Sequence, residues 1–171
     1  MVEQMRERKR EPEPQESIYD QHMKLFNEKA KKRAEGRIVI NGSEISFTQN
    51  RQSFVKSLMN LNDWDSVGAP YWSIFTQVIR QQSGRHTHQG GVLIFVIEGK
   101  GYTIVDGVRY DWEKGDLLLL PIQPGGCEHQ HFNENPEQPA VWIGFWFAPM
   151  WDAIGQTVVQ REEHPDWRKG K

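Results

Sequence analysis

Residues 91–121 read GVLIFVIEGKGYTIVDGVRYDWEKGDLLLLP. Runs of β-branched, aliphatic and aromatic residues alternate there with glycine-bearing breaks at Gly99–Gly101, Asp106–Gly107 and Lys114–Gly115. Each run is too short for a stable helix and suits a strand, and each break suits a tight turn. The same grammar extends outward. YWSIFTQVIRQQ at 71–82 reads as a strand, as do EHQHFNE at 128–134 and PAVWIGFWFA at 139–148. RIVINGSEISF at 37–47 predicts a hairpin around Asn41–Gly42. Many short strands, regular glycine turns and no interleaved helices predict an all-β chain folded as an antiparallel sandwich or barrel.

The remaining segments are simpler. Residues 1–16 are charged and proline-bearing and predict a disordered tail. Ser17, with Asp20 three residues on, opens a helix expected over 17–36. Ile18, His22, Met23, Leu25 and Phe26 give it a narrow apolar stripe, to pack on the domain or on a second subunit. Cations at 29–33 suit its C-terminal dipole, and Gly36 suits its C-cap. The barrel is expected over 37–160, with a polar tail over 161–171. At 171 residues the chain has room for one domain with a real core.

Composition removes several function classes. The net charge of −2 gives no electrostatic case for nucleic acid. The single cysteine, Cys127, excludes an internal disulfide and a cysteine-rich metal site. No apolar run reaches membrane-spanning length, and the N-terminal stretch lacks the apolar segment of a secretory signal. A cytoplasmic protein without a membrane partner is expected.

Four of the six histidines form two His-x-His pairs, His86/His88 and His129/His131. On a strand, residues two apart point to one face. The apolar run after His88 marks a strand entering the interior, so the first pair is expected to face inward. Neutral imidazole is the commonest metal ligand, and a pair on one strand face can share an ion.

These residues resemble the cupin superfamily, small antiparallel jelly-roll barrels. The first cupin motif corresponds to His86-Thr87-His88 running on to Gly99. The second corresponds to Gly115, then Pro124-Gly125-Gly126-Cys127-Glu128-His129 and Asn133, with a longer stretch between Gly115 and Pro124. The glutamate that usually follows the second histidine is replaced by Val92 and Leu93, and the nearest acid, Glu98, lies at a hairpin end. That departure is similar to the gentisate 1,2-dioxygenase group and its single-domain relatives, which hold ferrous iron with three histidines. HTHQGGVLIFVIEGKG, HQHFN and VWIGFWFAPM are all similar to that group's wording.

The resemblance implies a single cupin barrel with His86, His88 and His129 as metal ligands. It implies Fe(II), with manganese, nickel or zinc as other occupants. It further implies a dioxygenase that takes dioxygen and a chelating small molecule and cleaves a carbon–carbon bond of a hydroxylated aromatic or enolisable substrate. Three neutral ligands retain the ion's full charge and leave positions open for an anionic chelate. Gln77 matches a substrate-facing glutamine. The group's substrate-binding arginine corresponds to Ile94, and its late-strand aspartates to Gly144 and Phe147, which implies a less acidic and more aromatic substrate than gentisate. Trp142 and Trp146, four apart, share a strand face and could wall a flat substrate. His131 has three readings: an acid/base beside the metal, a fourth ligand, or a satisfied core histidine. Arg80 and Arg85 border the site, and Cys127 reads as a packing residue. A non-redox isomerase or lyase and a small-molecule-binding cupin are the alternative functions. Cupin pairing and the Trp-rich late strand predict a homodimer or higher homo-oligomer.

Overall fold

The computed structural model describes residues 16–167. Eleven strands form two antiparallel sheets. Sheet one runs in the order β1 (Thr48–Gln49), β2 (Phe54–Met59), β3 (Trp72–Ile79), β10 (Ala140–Phe147), β5 (Leu93–Glu98), β8 (Leu117–Leu119). Sheet two runs β11 (Val159–Glu162), β4 (Arg85–His88), β9 (Cys127–Asn133), β6 (Lys100–Val105), β7 (Val108–Glu113). The sheets face one another as a jelly roll without closing into one hydrogen-bonded cylinder. The all-β expectation holds, and so do the glycine turns. Asp106–Gly107 closes the β6–β7 hairpin with both residues at positive φ.

Between the sheets lies one core: Ile79, Ile94, Val96, Cys127 and Ala140 are all but fully buried, with Val92, Trp112, Leu120 and Trp142 around them. Period two decides which side chains enter it. Ile94 and Val96 point inward from β5, while Leu93, Phe95 and Ile97 point out.

The N-terminal helix α1 spans Ile18–Glu35, with Ser17 as N-cap and Gly36 as C-cap. The Ser17 hydroxyl oxygen accepts from the Asp20 amide at 3.1 Å. None of its residues is buried. It touches the domain through polar contacts, Lys32 to Asp65 at 3.1 Å and Arg33 to the Tyr71 hydroxyl at 3.1 Å. Its apolar stripe therefore meets no partner within the described protomer.

Three segments differ from the sequence reading. The hairpin expected around Asn41–Gly42 is instead a 3-10 turn, Gly42–Glu44, capped by the Asn41 side chain. Ile38 and Val39 beside it are exposed, so the β-branched residues there have no strand to pair with. A helix, α2 (Ala148–Ala153), follows β10 where none was foreseen, with Pro149 in its first turn. The boundary at 160 falls inside β11, which pairs with β4, and His164 beyond it is buried with its amide on the Arg51 carbonyl. The tail expected over 1–16 lies outside the described residues except for Glu16, as do residues 168–171.

Candidate metal centre

Strands β4 and β9 pair with His86 opposite His129 and His88 opposite Cys127. The register sends His86, His88, His129 and His131 to the same inner face. Gly126 makes the turn into β9. Its φ is +86°, and a β-carbon there would sit 2.7 Å from the His88 carbonyl oxygen, so the turn before the third histidine accepts no side chain.

The rings of His86 and His129 lie 4.2 Å apart, His88 and His129 4.6 Å, and His86 and His88 5.1 Å. One nitrogen from each of the three falls within 4.8 Å of the others. No carboxylate joins the cluster among the described residues. Glu98 is turned away into an exposed pair with Lys114 at 3.0 Å. His131 sits one step behind, its ring 5.6 Å from that of His129, and contributes no nitrogen to the cluster.

Burial keeps these rings neutral. Desolvation, followed by the neighbouring imidazoles, pushes His86 down to about 2. Desolvation and then His129 push His88 down to about 3. Desolvation holds His129 at about 4, against the opposing pull of the Cys127 carbonyl. His131 is also pushed well below 6.5, by desolvation first. At neutral pH the centre is a set of uncharged nitrogen donors, the protonation state that metal ligation requires.

The hydrogen bonds assign tautomers. Nδ1 of His129 donates to the Cys127 carbonyl at 3.1 Å, which leaves its Nε2 lone pair free. Nδ1 of His86 is buried without a partner. Nδ1 of His88 accepts the Gly90 amide proton at 3.0 Å, so its own proton sits on Nε2. Ligation through that nitrogen would have to displace the proton. His131 is fixed by a directed chain. The indole Nε1 of Trp112 can only donate, and it reaches Thr103 Oγ1 at 2.9 Å. The Thr103 hydroxyl proton is then left for His131 Nδ1, 2.8 Å away. His131 accordingly carries its proton on Nε2.

The remaining expected residues take up different positions. Gln77 and Trp142 are cross-strand partners, both buried, and both line the histidine cavity with Phe75, Trp146 and Trp151. Trp142 stands edge-on to Phe75 and 5.2 Å from the His131 ring. Trp146 stacks on Trp151 at 4.1 Å and 12°. Arg80 lies over Phe54 and Arg85 pairs with Glu128 and Glu162, so neither reaches the cavity. Sequence reasoning assigned no role to Thr103, Trp112 or Trp151. Trp151, 5.4 Å from His88, enters the site only because α2 folds over the mouth. The linker after α2 is fastened to the His-x-His strand end by Gln89, which bonds the Thr157 amide at 2.8 Å and its hydroxyl at 3.3 Å.

The sequence pattern of the family described as Cupin domain matches residues 75–146, the stretch that carries all four histidines. Gentisate 1,2-dioxygenase from Ralstonia sp is 35% identical over 66 residues, which cover 38% of this chain and 18% of that protein. Gentisate 1,2-dioxygenase from Streptomyces sp is 30% identical over 100 residues, covering 54% and 27%. The chain thus spans roughly a quarter or less of the curated relatives it matches. Among solved structures, salicylate 1,2-dioxygenase from Pseudaminobacter salicylatoxidans superposes with a TM-score of 0.50 at 26% identity, covering 77% of this chain and 36% of that one. A Cupin 2 conserved barrel domain protein from Salinispora arenicola superposes at 0.51 and 25%, covering 70% and 95%. Residues 75–146 thus match the Cupin domain pattern, and part of the chain is similar to the gentisate 1,2-dioxygenases.

Proposed function

We propose that this cupin is a ferrous dioxygenase that cleaves a carbon–carbon bond of a hydroxylated aromatic or enolisable small molecule. The observation that carries the reading is the donor set: three buried neutral imidazoles, gathered within 4.8 Å, with no carboxylate among the described residues there. The dioxygenase relatives support it. His86, His88 and His129 would hold the ion. Bound there, Fe(II) supplies open coordination positions and the redox chemistry that dioxygen requires; manganese, nickel or zinc would fit the same nitrogens.

The protein side chains perform the rest. A planar substrate lies between the histidines and the wall of Phe75, Trp142 and Trp146. Gln77 offers both a donor and an acceptor to its oxygens. His131, with its proton on Nε2, is placed to donate a hydrogen bond to a substrate oxygen and to move a proton there. On this reading it is an acid/base beside the ion, and its absence from the cluster of three nitrogens supports that role over a fourth ligand. Val92, Ile94 and Leu120 exclude water around the reacting atoms.

The protein works as a dimer or larger homo-oligomer in a cytoplasmic setting, on our reading. No helix among the described residues is long and apolar enough to cross a membrane. Anaerobic loading with Fe(II), then oxygen uptake with a panel of catechols, hydroquinones and β-diketones, tests the proposal. Stoichiometric oxygen consumption with ring or chain cleavage is expected. Metal-dependent turnover without oxygen consumption would move the protein to the non-redox isomerases or lyases.

A further inference from the structure

The histidine cavity has a volume of about 120 Å3. That is less than the roughly 150 Å3 that holds a benzene molecule. Beside it lies a larger cavity of about 570 Å3, in the range of small-molecule sites. Trp146 and Trp151 line both, with their rings stacked on one another. A shift of these two rings would join the two volumes into one that holds an aromatic substrate at the histidines.

The outer cavity is not a bare apolar groove. Trp64, Tyr71, Trp146 and Trp151 wall it, with Leu61 and Asp152 at its exposed mouth. Both amide atoms of Gln156, which lines it, are buried without a partner, and so is the indole nitrogen of Trp151. A buried amide with neither end satisfied is rare in a folded protein and calls for a ligand or water. The Gln156 backbone is held by the Trp151 carbonyl at 3.0 Å, so the side chain is fixed at its root. Tyr71 adds a further sign. It is a non-glycine residue at φ 75°, a strained conformation found at functional sites, and it places its ring in this wall.

We propose that the outer cavity is a second binding subsite, and that the substrate is a flat molecule of two rings, or one ring with a planar arm. One end chelates at the histidines; the other lies between the aromatic walls and pairs with the Gln156 amide. Asp152 at the mouth disfavours an anion, so the distal group is a neutral donor and acceptor such as a carboxamide. The chelating end rests on the proposed function above, while the distal subsite stands on its own residues.

Tryptophan fluorescence reads the subsite directly, because three indoles line it. The probes are benzamide for the outer cavity, catechol for the histidines, and 4-(3,4-dihydroxyphenyl)benzamide for both. Benzamide should quench weakly but saturably in the metal-free protein and equally in His129→Ala. Gln156→Leu should weaken it about tenfold, the worth of one good hydrogen bond pair. Leu61→Trp, a change at the exposed mouth, should block it without touching the core. In Fe(II)-loaded protein without oxygen, the linked probe should bind at least about a hundredfold tighter than catechol. Benzamide binding that is absent, or unmoved by both variants, overturns the subsite. Benzamide binding as expected, with catechol indifferent to iron, keeps the subsite and overturns the chelation reading.

Discussion

His131 differs from His129 in the hydrogen bond its Nδ1 makes. His129 donates through Nδ1 to a backbone carbonyl and keeps a lone pair for an ion. His131 accepts at Nδ1 from Thr103 and keeps a proton. The chain Trp112–Thr103–His131 is therefore a positioning device, and it can be broken at its middle. Thr103→Val leaves the Trp112 indole N–H buried and unpaired, which costs about 1–3 kcal/mol of stability. Metal content should be unchanged in that variant, while turnover falls and its pH profile shifts as His131 is freed to change tautomer. A drop in bound metal would instead place His131 among the ligands. Gly144 is equally local. A β-carbon there would lie 2.9 Å from Phe75 and 3.1 Å from Trp142. An aspartate at this position cannot enter without moving both rings. Gly144→Asp should lower the melting temperature by several degrees. The four histidines also predict an acid response of the metal-free protein. Their folded pKa values lie below the unfolded value of 6.5. Below that pH the unfolded chain takes up protons that the folded chain refuses. Stability is thus full above about pH 6.5 and falls with acidification toward pH 4, by up to about 1.4 kcal/mol per pH unit for each histidine. Melting curves at pH 7.5 and 5.0 check this, and equal midpoints would contradict it.

At the scale of elements, the strands between 72 and 147 were legible because their side-chain period and turn residues agree. The His-x-His spacing sufficed to place His86 and His88 on one face, and the register with β9 brought His129 to them. The hairpin around Asn41–Gly42 was not legible. Its turn chemistry is right, but a strand needs a neighbour, and no sequence rule says that Ile38 and Val39 lack one. The α2 helix was hidden by the aromatic run of β10. Pro149 near its start and Gly155 just past its end were the available signals. Missing α2 meant missing Trp151 as a wall of the site. β11 was obscured because an exposed edge strand is polar and resembles a tail. The α1 helix, Ile18–Glu35 between its caps Ser17 and Gly36, buries nothing in its own protomer. Deleting residues 1–35 should leave the melting midpoint within a few degrees under conditions where the protein is monomeric. A large loss would show that α1 stabilises the barrel through contacts outside those described.

At the scale of the whole molecule, the apolar surface expected on the Trp-rich late strand lies elsewhere. Trp142 is buried and Trp146 faces the cavity. The exposed apolar face is the outer side of β5 and β8, where Leu93 pairs with Leu119 and Phe95 with Leu117, all between 42% and 65% exposed. A continuous patch of this kind on a sheet edge would suit the proposed interface between copies of the chain. Sedimentation should show a species larger than the 20.0 kDa chain. Leu117→Lys with Leu119→Lys should return it to a monomer, and an unchanged sedimentation coefficient would move the interface elsewhere.

The central claim is that His86, His88 and His129 hold one ion while His131 works beside it. Metal content after anaerobic Fe(II) loading, measured on the four single alanine variants, tests it most directly. Removing one of three neutral ligands lowers affinity steeply, so His86→Ala, His88→Ala and His129→Ala should each lose most of the iron and stay folded. His131→Ala should keep it and lose oxygen-dependent turnover by roughly 10²-fold or more. If His131→Ala empties the site while His129→Ala stays loaded, the ligand assignment is reversed; if all four variants keep full metal, the three-histidine centre does not exist.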